Sequence, residues 1–238
     1  MRDAKGTFGV NIAGRSVRYW VGRATLDLLG WDVEGAAPTQ DKYVIIAAPH
    51  TTSWDLPVTL GVAWVLGIDA NWAGKHSLFE GPFGWFFKSI GGVSIDRRAK
   101  LDQVQQLVNM FHEREKMVLV IAPEGTREAT GYWKSGFYWI ARGAGVPIAL
   151  GYLDYKRKRS GVGDAFVPGD DLEADVERIR AFYSTVSGKY PERFTNIRFR
   201  PDGERGNRDR ASEYDTRKQR HEAKRGALWG LLPAWGRK

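Results

Sequence analysis

His50 and Asp55 are the residues of this sequence whose types and spacing point most directly to chemistry. They lie in the stretch VIIAAPHTTSWD, in which an apolar run ends in a polar turn. Residues five apart in a regular helix point about 140° away from each other, so the two side chains can meet only if the chain turns between them. The hydroxyl residues between them and Pro57 after them favour such a turn, from a strand into a helix. The Asp55 carboxylate would then hold the Nδ1–H of His50 and leave Nε2 free to take a proton, as in a general base.

Taken alone, this pattern favours an ordinary strand-to-helix turn that happens to carry a histidine and an aspartate, because a short motif is only a hypothesis. Two further turns carry arginine, IDR at residues 95–97 and EGTR at residues 124–127. The planar guanidinium of arginine matches two phosphate oxygens, and a glycine lets the backbone approach a ligand closely. Lys75 would add a point charge, while Asp96 and Glu124 would orient these cations or accept a hydrogen bond from a substrate hydroxyl. Each arginine turn taken alone is more typical of a surface salt bridge.

The elements that would position these turns alternate along the chain. Apolar runs predict strands at residues 43–48, 69–73, 117–121 and 146–153, and helical periodicity predicts helices at 57–67, 99–116, 136–143 and 172–187. This alternation indicates an α/β fold: a single domain, residues 36–200, with a largely parallel central sheet flanked by helices. Reactive loops of such sheets lie beyond the carboxyl ends of the strands. The His50 turn and the Glu124 loop both follow predicted strands in that position.

Both ends of the chain are predicted to differ from the central domain. Residues 1–35 contain an amphipathic N-terminal helix whose apolar stripe comprises Ile12, Val17, Trp20, Val21, Ala24, Leu28 and Leu29. With arginines around it, this helix either lies on an anionic membrane surface or packs its stripe on the core. Residues 201–238 combine a polar, basic linker with the apolar tail ALWGLLPAWGRK, which either anchors at a membrane or folds back over the core.

A segment rich in aromatic residues and glycine follows the second predicted strand. Its sequence, GKHSLFEGPFGWFFKSIGG, places four aromatic side chains within five residues: Phe83, Trp85, Phe86 and Phe87. Such a dense apolar surface is either part of the core or the wall of a channel for an apolar ligand. The core is the favoured prediction.

The bulk composition limits the partners and the chemistry. A net charge of +8 and a pI near 9.7 favour anionic partners such as nucleic acid, acidic lipid or phosphorylated substrates. The absence of cysteine excludes disulfides and thiol nucleophiles, and four scattered histidines argue against a metal-dependent hydrolase. No nucleic-acid-binding motif is recognisable.

Neither a membrane-spanning apolar stretch nor a signal peptide is evident, which predicts a cytoplasmic protein, peripheral on the inner face of the cell membrane.

Four blocks in order resemble the glycerolipid and lysophospholipid acyltransferases, the family of the 1-acyl-glycerol-3-phosphate acyltransferase type. They are HTTSWD from His50 to Asp55, GVSIDR from Gly92 to Arg97, PEGTR from Pro123 to Arg127 and VPIAL from Val146 to Leu150. The segment between the first two blocks, which begins near Lys75, is also similar to that of the family. The resemblance covers about residues 40–155. One block would be weak, whereas four in order are specific.

The resemblance implies an O-acyltransferase that moves a fatty acyl group from an acyl thioester, either acyl-CoA or acyl-carrier protein, to a lysophospholipid hydroxyl. The leading acceptor is 1-acyl-glycerol-3-phosphate, which would give phosphatidic acid. His50, oriented by Asp55, would remove the acceptor proton, with no acyl-enzyme, cofactor or metal. The residues implied in binding the phosphate-bearing acceptor are Lys75, Arg97, Glu124, Gly125, Thr126 and Arg127. Candidates for the acyl path are Phe83, Trp85, Phe86 and Pro147.

The sequence departs from the family pattern at several positions. Ala122 stands where the family often has an aromatic residue, and Ser94 where a bulky apolar residue is usual. The fourth block continues as ALGYLDYKRK in place of the more usual second proline. These departures leave the acceptor open: a glycolipid, an amino-acid-containing lysolipid or a small alcohol are alternatives. A basic nucleic-acid-binding protein is the alternative from another class.

Overall fold

The computed structural model describes residues 15–95, 100–194 and 196–199, with the backbone alone for Lys75, Leu78 and residues 100–102. The predicted C-terminal linker and tail lie outside the described residues, as do Ile12 and Arg97. The described residues up to Arg198 belong to one compact unit.

Helices and strands alternate along most of this unit. The helices are α1 (Val17–Leu29), α2 (Asp55–Val65), α3 (Ser77–Glu80), α4 (Gly84–Ser89), α5 (Lys100–Glu113), α6 (Gly136–Ala144) and α7 (Leu172–Tyr183). The strands are β1 (Asp32–Gly35), β2 (Lys42–Ala48), β3 (Ala70–Lys75), β4 (Gly92–Ile95), β5 (Met117–Ile121), β6 (Ile148–Asp154) and β7 (Arg159–Phe166). A turn of 3₁₀ helix covers Pro191–Arg193.

The described strands form one seven-stranded sheet in the order β1-β7-β6-β2-β5-β3-β4. Neighbouring strands are parallel, except that β6 and β7 pair antiparallel. The predicted α/β fold with a largely parallel central sheet is therefore confirmed.

The central strands form where the sequence is continuously apolar. All seven residues of β6 are buried, and β2 is buried along most of its length between β5 and β6. Strands covered by helices on both faces are expected to show such runs in place of a polar–apolar alternation. The chain leaves β2 at Ala48 and enters the His50 turn directly through Pro49.

The helices cover the two faces of the sheet. The connection from β2 to β3 through α2 and the connections through α5 and α6 run in opposite directions along the sheet. Because crossovers between parallel strands are right-handed, α2 lies on one face with α3 and α4, and α5 and α6 lie on the other. This arrangement leaves the carboxyl edge of the sheet open for the turns that follow the strands.

The N-terminal helix packs on α2, but not through its predicted stripe. Gly22 and Leu26 are its buried residues, and a Cβ on Gly22 would lie 2.7 Å from the carbonyl oxygen of Gly61 in α2. Such a close approach requires glycine at position 22. The described stripe residues that are exposed are Val17, Trp20, Val21, Ala24 and Leu28. Leu29 is partly buried against the core, so packing of the stripe on the core is wrong for the described stripe residues other than Leu29.

The predicted burial of the aromatic segment is also wrong for three of its four residues. Phe83, Trp85 and Phe86 are 66%, 71% and 45% exposed. Phe87 instead packs edge-to-face on Trp72 of β3, with ring centroids 6.1 Å apart. The two short helices α3 and α4 thus turn one aromatic face towards the sheet and another towards solvent.

Within the described part of the chain, every helix is too short or too polar to cross a lipid bilayer.

Candidate active site

Three neighbouring parallel strands deliver their following turns to one edge of the sheet. β2 pairs with β5 on one side, where Ile46 lies opposite Ile121, and with β6 on the other, where Ala48 lies opposite Tyr152. The turns after these strands are therefore neighbours, although the His50 turn is about 70 to 100 residues from the other two in sequence. This edge holds the His50 turn, the PEGTR loop and the end of β6.

His50 and Asp55 meet through a turn between the end of β2 and the start of α2. The distance from Nδ1 of His50 to Oδ2 of Asp55 is 3.1 Å. Asp55 is the first residue of α2 and only 2% exposed, and the same Oδ2 accepts the backbone N–H of Thr52 at 3.0 Å. Since the His50 side chain remains 30% exposed, Nε2 can meet a substrate while Nδ1 is held. The arrangement suits a base with an orienting carboxylate.

Asp55 has a further donor that the sequence analysis missed. The hydroxyl of Tyr155 donates to Oδ1 of Asp55 at 2.6 Å. Burial raises the pKa of Tyr155 well above its usual range, and the adjacent Asp55 carboxylate raises it further. Tyr155 directly follows β6. Residues after the carboxyl ends of parallel strands lie near the reactive edge of the sheet, so its position in the sequence could have indicated Tyr155 as a site residue.

Glu124 lies beneath the His50 turn and is 1% exposed. The backbone N–H of His50 donates to its two carboxylate oxygens at 3.0 and 3.2 Å. Burial raises the pKa of Glu124 to about 7, although the hydrogen bond from His50 acts in the opposite direction. Glu124 therefore ties the PEGTR loop to the turn that carries the base.

The remainder of the PEGTR loop presents cations at the surface. Arg127 is exposed, and its guanidinium donates to the hydroxyl of Ser53 in the His50 turn. Gly125 has a φ of +68°, and a Cβ at that position would lie 2.6 Å from Cε of Lys134. Lys134 was not predicted from the sequence; its backbone N–H donates to the carbonyl of Pro123 at 2.8 Å. Thr126 Oγ1 accepts the N–H of Glu128 at 3.4 Å.

The segment after α7 covers the back of the His50 turn. Thr51 is fully buried, and its hydroxyl accepts the N–H of Tyr190 at 3.4 Å. A Cβ on Gly188 would lie 3.1 Å from Pro49 and Thr51. This packing leaves little room for the turn to change conformation.

Three further predicted site residues, Lys75, Arg97 and Pro147, have different outcomes. Lys75 ends β3 and its backbone pairs with Ile95, while Arg97 lies outside the described residues. The carbonyl of Pro147 accepts the N–H of Val44 at the amino end of β2, on the order of 20 Å along the strand from His50. The structure thus places Pro147 at the opposite edge of the sheet from the candidate site.

The described side chains include no group of three or more histidine, aspartate or glutamate residues placed to hold a metal ion. The acidic groups near His50 are Asp55 and Glu124, and their hydrogen bonds to His50, Thr52 and Tyr155 are those of an organic acid–base site. This donor set suits proton transfer.

This chain is similar to known proteins. The sequence is 30% identical over 146 residues to the 1-acyl-sn-glycerol-3-phosphate acyltransferase of Streptococcus pneumoniae, a match that covers 58% of this chain and 54% of that protein. The match thus spans about half the length of that relative. A solved structure, the 1-acyl-sn-glycerophosphate (LPA) acyltransferase of Thermotoga maritima, is 20% identical and aligns over 71% of this chain and 80% of that one, with a TM-score of 0.47. A sequence model of the Acyltransferase family matches residues 31–149, half of the chain, and includes His50, Asp55 and the PEGTR loop. The chain therefore belongs to the Acyltransferase family.

Proposed function

We propose that this protein transfers an acyl group to the hydroxyl of a lysophospholipid, with 1-acyl-glycerol-3-phosphate as the acceptor and phosphatidic acid as the product. The donor is an acyl thioester, either acyl-CoA or acyl-carrier protein. The observation that carries the proposal is the His50–Asp55 hydrogen bond at the carboxyl edge of the sheet, in a chain of the Acyltransferase family. The choice of acceptor follows the name of the Streptococcus pneumoniae relative.

In the proposed reaction, Nε2 of His50 takes the proton of the acceptor hydroxyl as its oxygen attacks the thioester carbonyl carbon. A C–O bond forms, and the tetrahedral intermediate then breaks its C–S bond. The imidazolium returns the proton to the leaving sulfur, so that a free thiol departs and His50 is again neutral. The acyl group passes directly from donor to acceptor, which fits a site built around a base without a cysteine nucleophile.

Asp55 stabilises the imidazolium that forms during this proton transfer. Its carboxylate lies 3.1 Å from Nδ1 and is almost fully buried, so the attraction between the two charges is only weakly screened by water. The hydrogen bond also fixes the tautomer in which Nε2 lacks a proton and can act as the base.

Arg127 of the PEGTR loop and Lys134 beside that loop hold the anionic headgroup of the acceptor. Arg127 is exposed beside the His50 turn, and Lys134 lies against Gly125. A guanidinium and an ammonium both suit a phosphate, which accepts several hydrogen bonds at once. Lys75 and Arg97 remain predicted contributors from the neighbouring turns. Phe83, Trp85 and Phe86 remain predicted contacts of the acyl chain.

The protein works at the inner face of the cell membrane as a peripheral protein. Its proposed acceptor is a lipid, and most of the exposed large apolar side chains among the described residues lie on α1, at the start of α2 and on the α3–α4 segment. These elements share one side of the sheet, and apolar and aromatic side chains on one surface suit contact with lipid.

The proposed reaction is tested by mass spectrometry of the products formed from oleoyl-CoA, or from an acyl-carrier protein donor, with a panel of lysolipids. Wild-type protein is expected to acylate 1-acyl-glycerol-3-phosphate, and His50→Ala is expected to give almost none of this product. His112→Ala is the matched control, because His112 is exposed on α5 and far from the candidate site in the fold. It should retain wild-type activity. Equal product from wild type and His50→Ala would contradict the role of His50.

The same panel separates the proposed acceptor from a glycolipid, an amino-acid-containing lysolipid or a small alcohol. If a phosphate is recognised, Arg127→Ala raises the KM for phosphorylated acceptors and leaves the KM for uncharged acceptors unchanged. A uniform change across the panel would contradict a phosphate contact at Arg127.

A further inference from the structure

We propose that Tyr155 is a positioning residue for acyl transfer, which holds the Asp55 carboxylate in place so that a Tyr155–Asp55–His50 chain of hydrogen bonds orients the base. This inference rests on the proposed function, because it assumes that His50 is the base. It adds a member to the site from the end of β6, outside the HTTSWD and PEGTR blocks.

The hydrogen bonds of Asp55 divide between its two carboxylate oxygens. Oδ2 accepts from Nδ1 of His50 at 3.1 Å and from the N–H of Thr52 at 3.0 Å. Oδ1 accepts from the hydroxyl of Tyr155 at 2.6 Å, and no other donor to Oδ1 is found in the described part of the chain. Without that hydroxyl, a buried carboxylate oxygen would lose its partner, which is costly and lets the carboxylate rotate away from His50.

The ring of Tyr155 is itself held in place. Trp31, between α1 and β1, packs edge-to-face on it with ring centroids 4.8 Å apart at 90°. The ammonium of Lys158 lies 5.1 Å from the Trp31 ring and 5.7 Å from the Tyr155 ring. The backbone N–H of Tyr155 donates to the carbonyl of Ser187 at 2.8 Å. Contacts from separate parts of the chain therefore aim the hydroxyl at Asp55.

Tyr155 donates this hydrogen bond and does not accept it. Its phenol keeps its proton at any pH at which the protein would work, because burial and the Asp55 carboxylate both raise its pKa. A neutral donor spreads part of the negative charge of Asp55 away from Oδ2. The other titratable or charged groups facing this cluster are His50 and Glu124 from the two site turns, Lys158 and Tyr190.

The test compares Tyr155→Phe with Tyr152→Phe. Tyr152 is a close control because it lies on β6 and its hydroxyl also donates to a carboxylate at 2.6 Å, that of Glu34, away from His50. Tyr155→Phe is expected to lower kcat by about 10-fold, the effect of losing one hydrogen bond to a charged group, without changing either KM. It should also move the acid limb of the kcat/KM profile to higher pH, because a more localised charge on Asp55 favours the imidazolium. Tyr152→Phe should do neither.

Fluorotyrosine at position 155 is a second test, which changes the strength of the hydrogen bond to Asp55 without removing it. Its more acidic phenol is a stronger donor, so the acid limb should move to lower pH, opposite to the effect of Tyr155→Phe. An unchanged acid limb in both variants would overturn the proposal, even if kcat fell, since a purely structural role lowers the rate without moving the limb. The same holds if Tyr155→Phe behaves like Tyr152→Phe.

Failure of this inference is distinguishable from failure of the proposed function. If wild type acylates the acceptor, His50→Ala does not, and Tyr155→Phe behaves as wild type, the positioning role alone is overturned. If wild type and His50→Ala give equal product, His50 is not the base, and the role proposed for Tyr155 is overturned with it.

Discussion

Two buried carboxylates contact His50, and they differ in the number of donors they receive. Asp55 contacts the imidazole and accepts hydrogen bonds from His50, Thr52 and Tyr155. Glu124 contacts the backbone and, in the part of the chain that the structure describes, accepts only the N–H of His50. Both are 2% exposed or less.

The number of donors decides how far each carboxylate is compensated for its burial. A buried carboxylate is stable as an anion only if donors replace the water it has lost. Three donors suit Asp55 to holding a negative charge beside the imidazole. One donor does not offset the burial of Glu124, whose pKa is raised to about 7. The Asp55 side of the site therefore serves proton transfer, and the Glu124 side links the loops and changes charge near neutral pH.

The largest effect is expected on the Asp55 side. Asp55→Asn should lower kcat by about 10²- to 10⁴-fold, because an amide cannot stabilise the imidazolium and can favour the wrong tautomer of His50. Initial rates of acyl transfer measure this. The matched control is Asp175→Asn, since Asp175 also accepts a tyrosine hydroxyl, that of Tyr138 at 2.9 Å, and lies on α7.

The comparison would be reversed if Asp55→Asn cost less activity than Glu124→Gln. It would also fail if Asp175→Asn cost as much as Asp55→Asn, because the loss would then reflect stability and not chemistry.

A smaller effect, on stability, is expected from Glu124→Gln. The folded protein keeps the Glu124 proton up to about pH 7, whereas the unfolded chain releases it near 4.5. The unfolded state therefore binds fewer protons between these values, and the contribution of Glu124 to the free energy of unfolding falls as pH rises through this window. Glutamine does not titrate, so the variant should gain stability relative to wild type from pH 5 to pH 8, by at most about 3 kcal/mol.

Urea denaturation at pH 5 and pH 8 measures this difference. Glu128→Gln is the control, because Glu128 lies near the same loop but is exposed and pairs with Arg193. If the free energies of unfolding of wild type and Glu124→Gln change in parallel across this range, Glu124 is ionised at both pH values. The proposed difference in charge between Glu124 and Asp55 would then be wrong.

The sequence predicted the parts of the fold that depend on local patterns. β2, β5 and β6 are continuous apolar runs and were predicted as strands. The prediction that the His50 turn and the PEGTR loop lie together beyond their carboxyl ends is confirmed. β1, β4 and β7 were missed because the first two have four residues each and β7 contains two glycines and few apolar residues. Their pairing depends on partners distant in sequence.

Side-chain contacts of the site were harder to predict than its location. The donation from Arg127 to Ser53 and that from Tyr155 to Asp55 depend on the register of strands far apart in sequence. The exposure of Phe83, Trp85 and Phe86 was not predicted, because an aromatic run in two short helices does not tell which face turns inward. Pro147 was matched through an apolar block, which does not reveal the edge of the sheet at which it lies.

The smallest expected effect is on binding of the acceptor phosphate by Lys134. Alanine substitutions at two glycines distinguish the displacement of Lys134 from backbone strain. Gly125 and Gly131 have similar positive φ values of +68° and +72°, but a Cβ on Gly125 would collide with Lys134, whereas one on Gly131 meets nothing within 4 Å. Each change to alanine should cost about 1 kcal/mol of unfolding free energy, because alanine is strained in this conformation. Only Gly125→Ala displaces Lys134, so only that variant should raise the KM for a phosphorylated acceptor, by a few-fold and with kcat retained. Equal KM values for the two variants would mean that Lys134 does not contact the acceptor, and the phosphate would then be held by arginine alone on this loop.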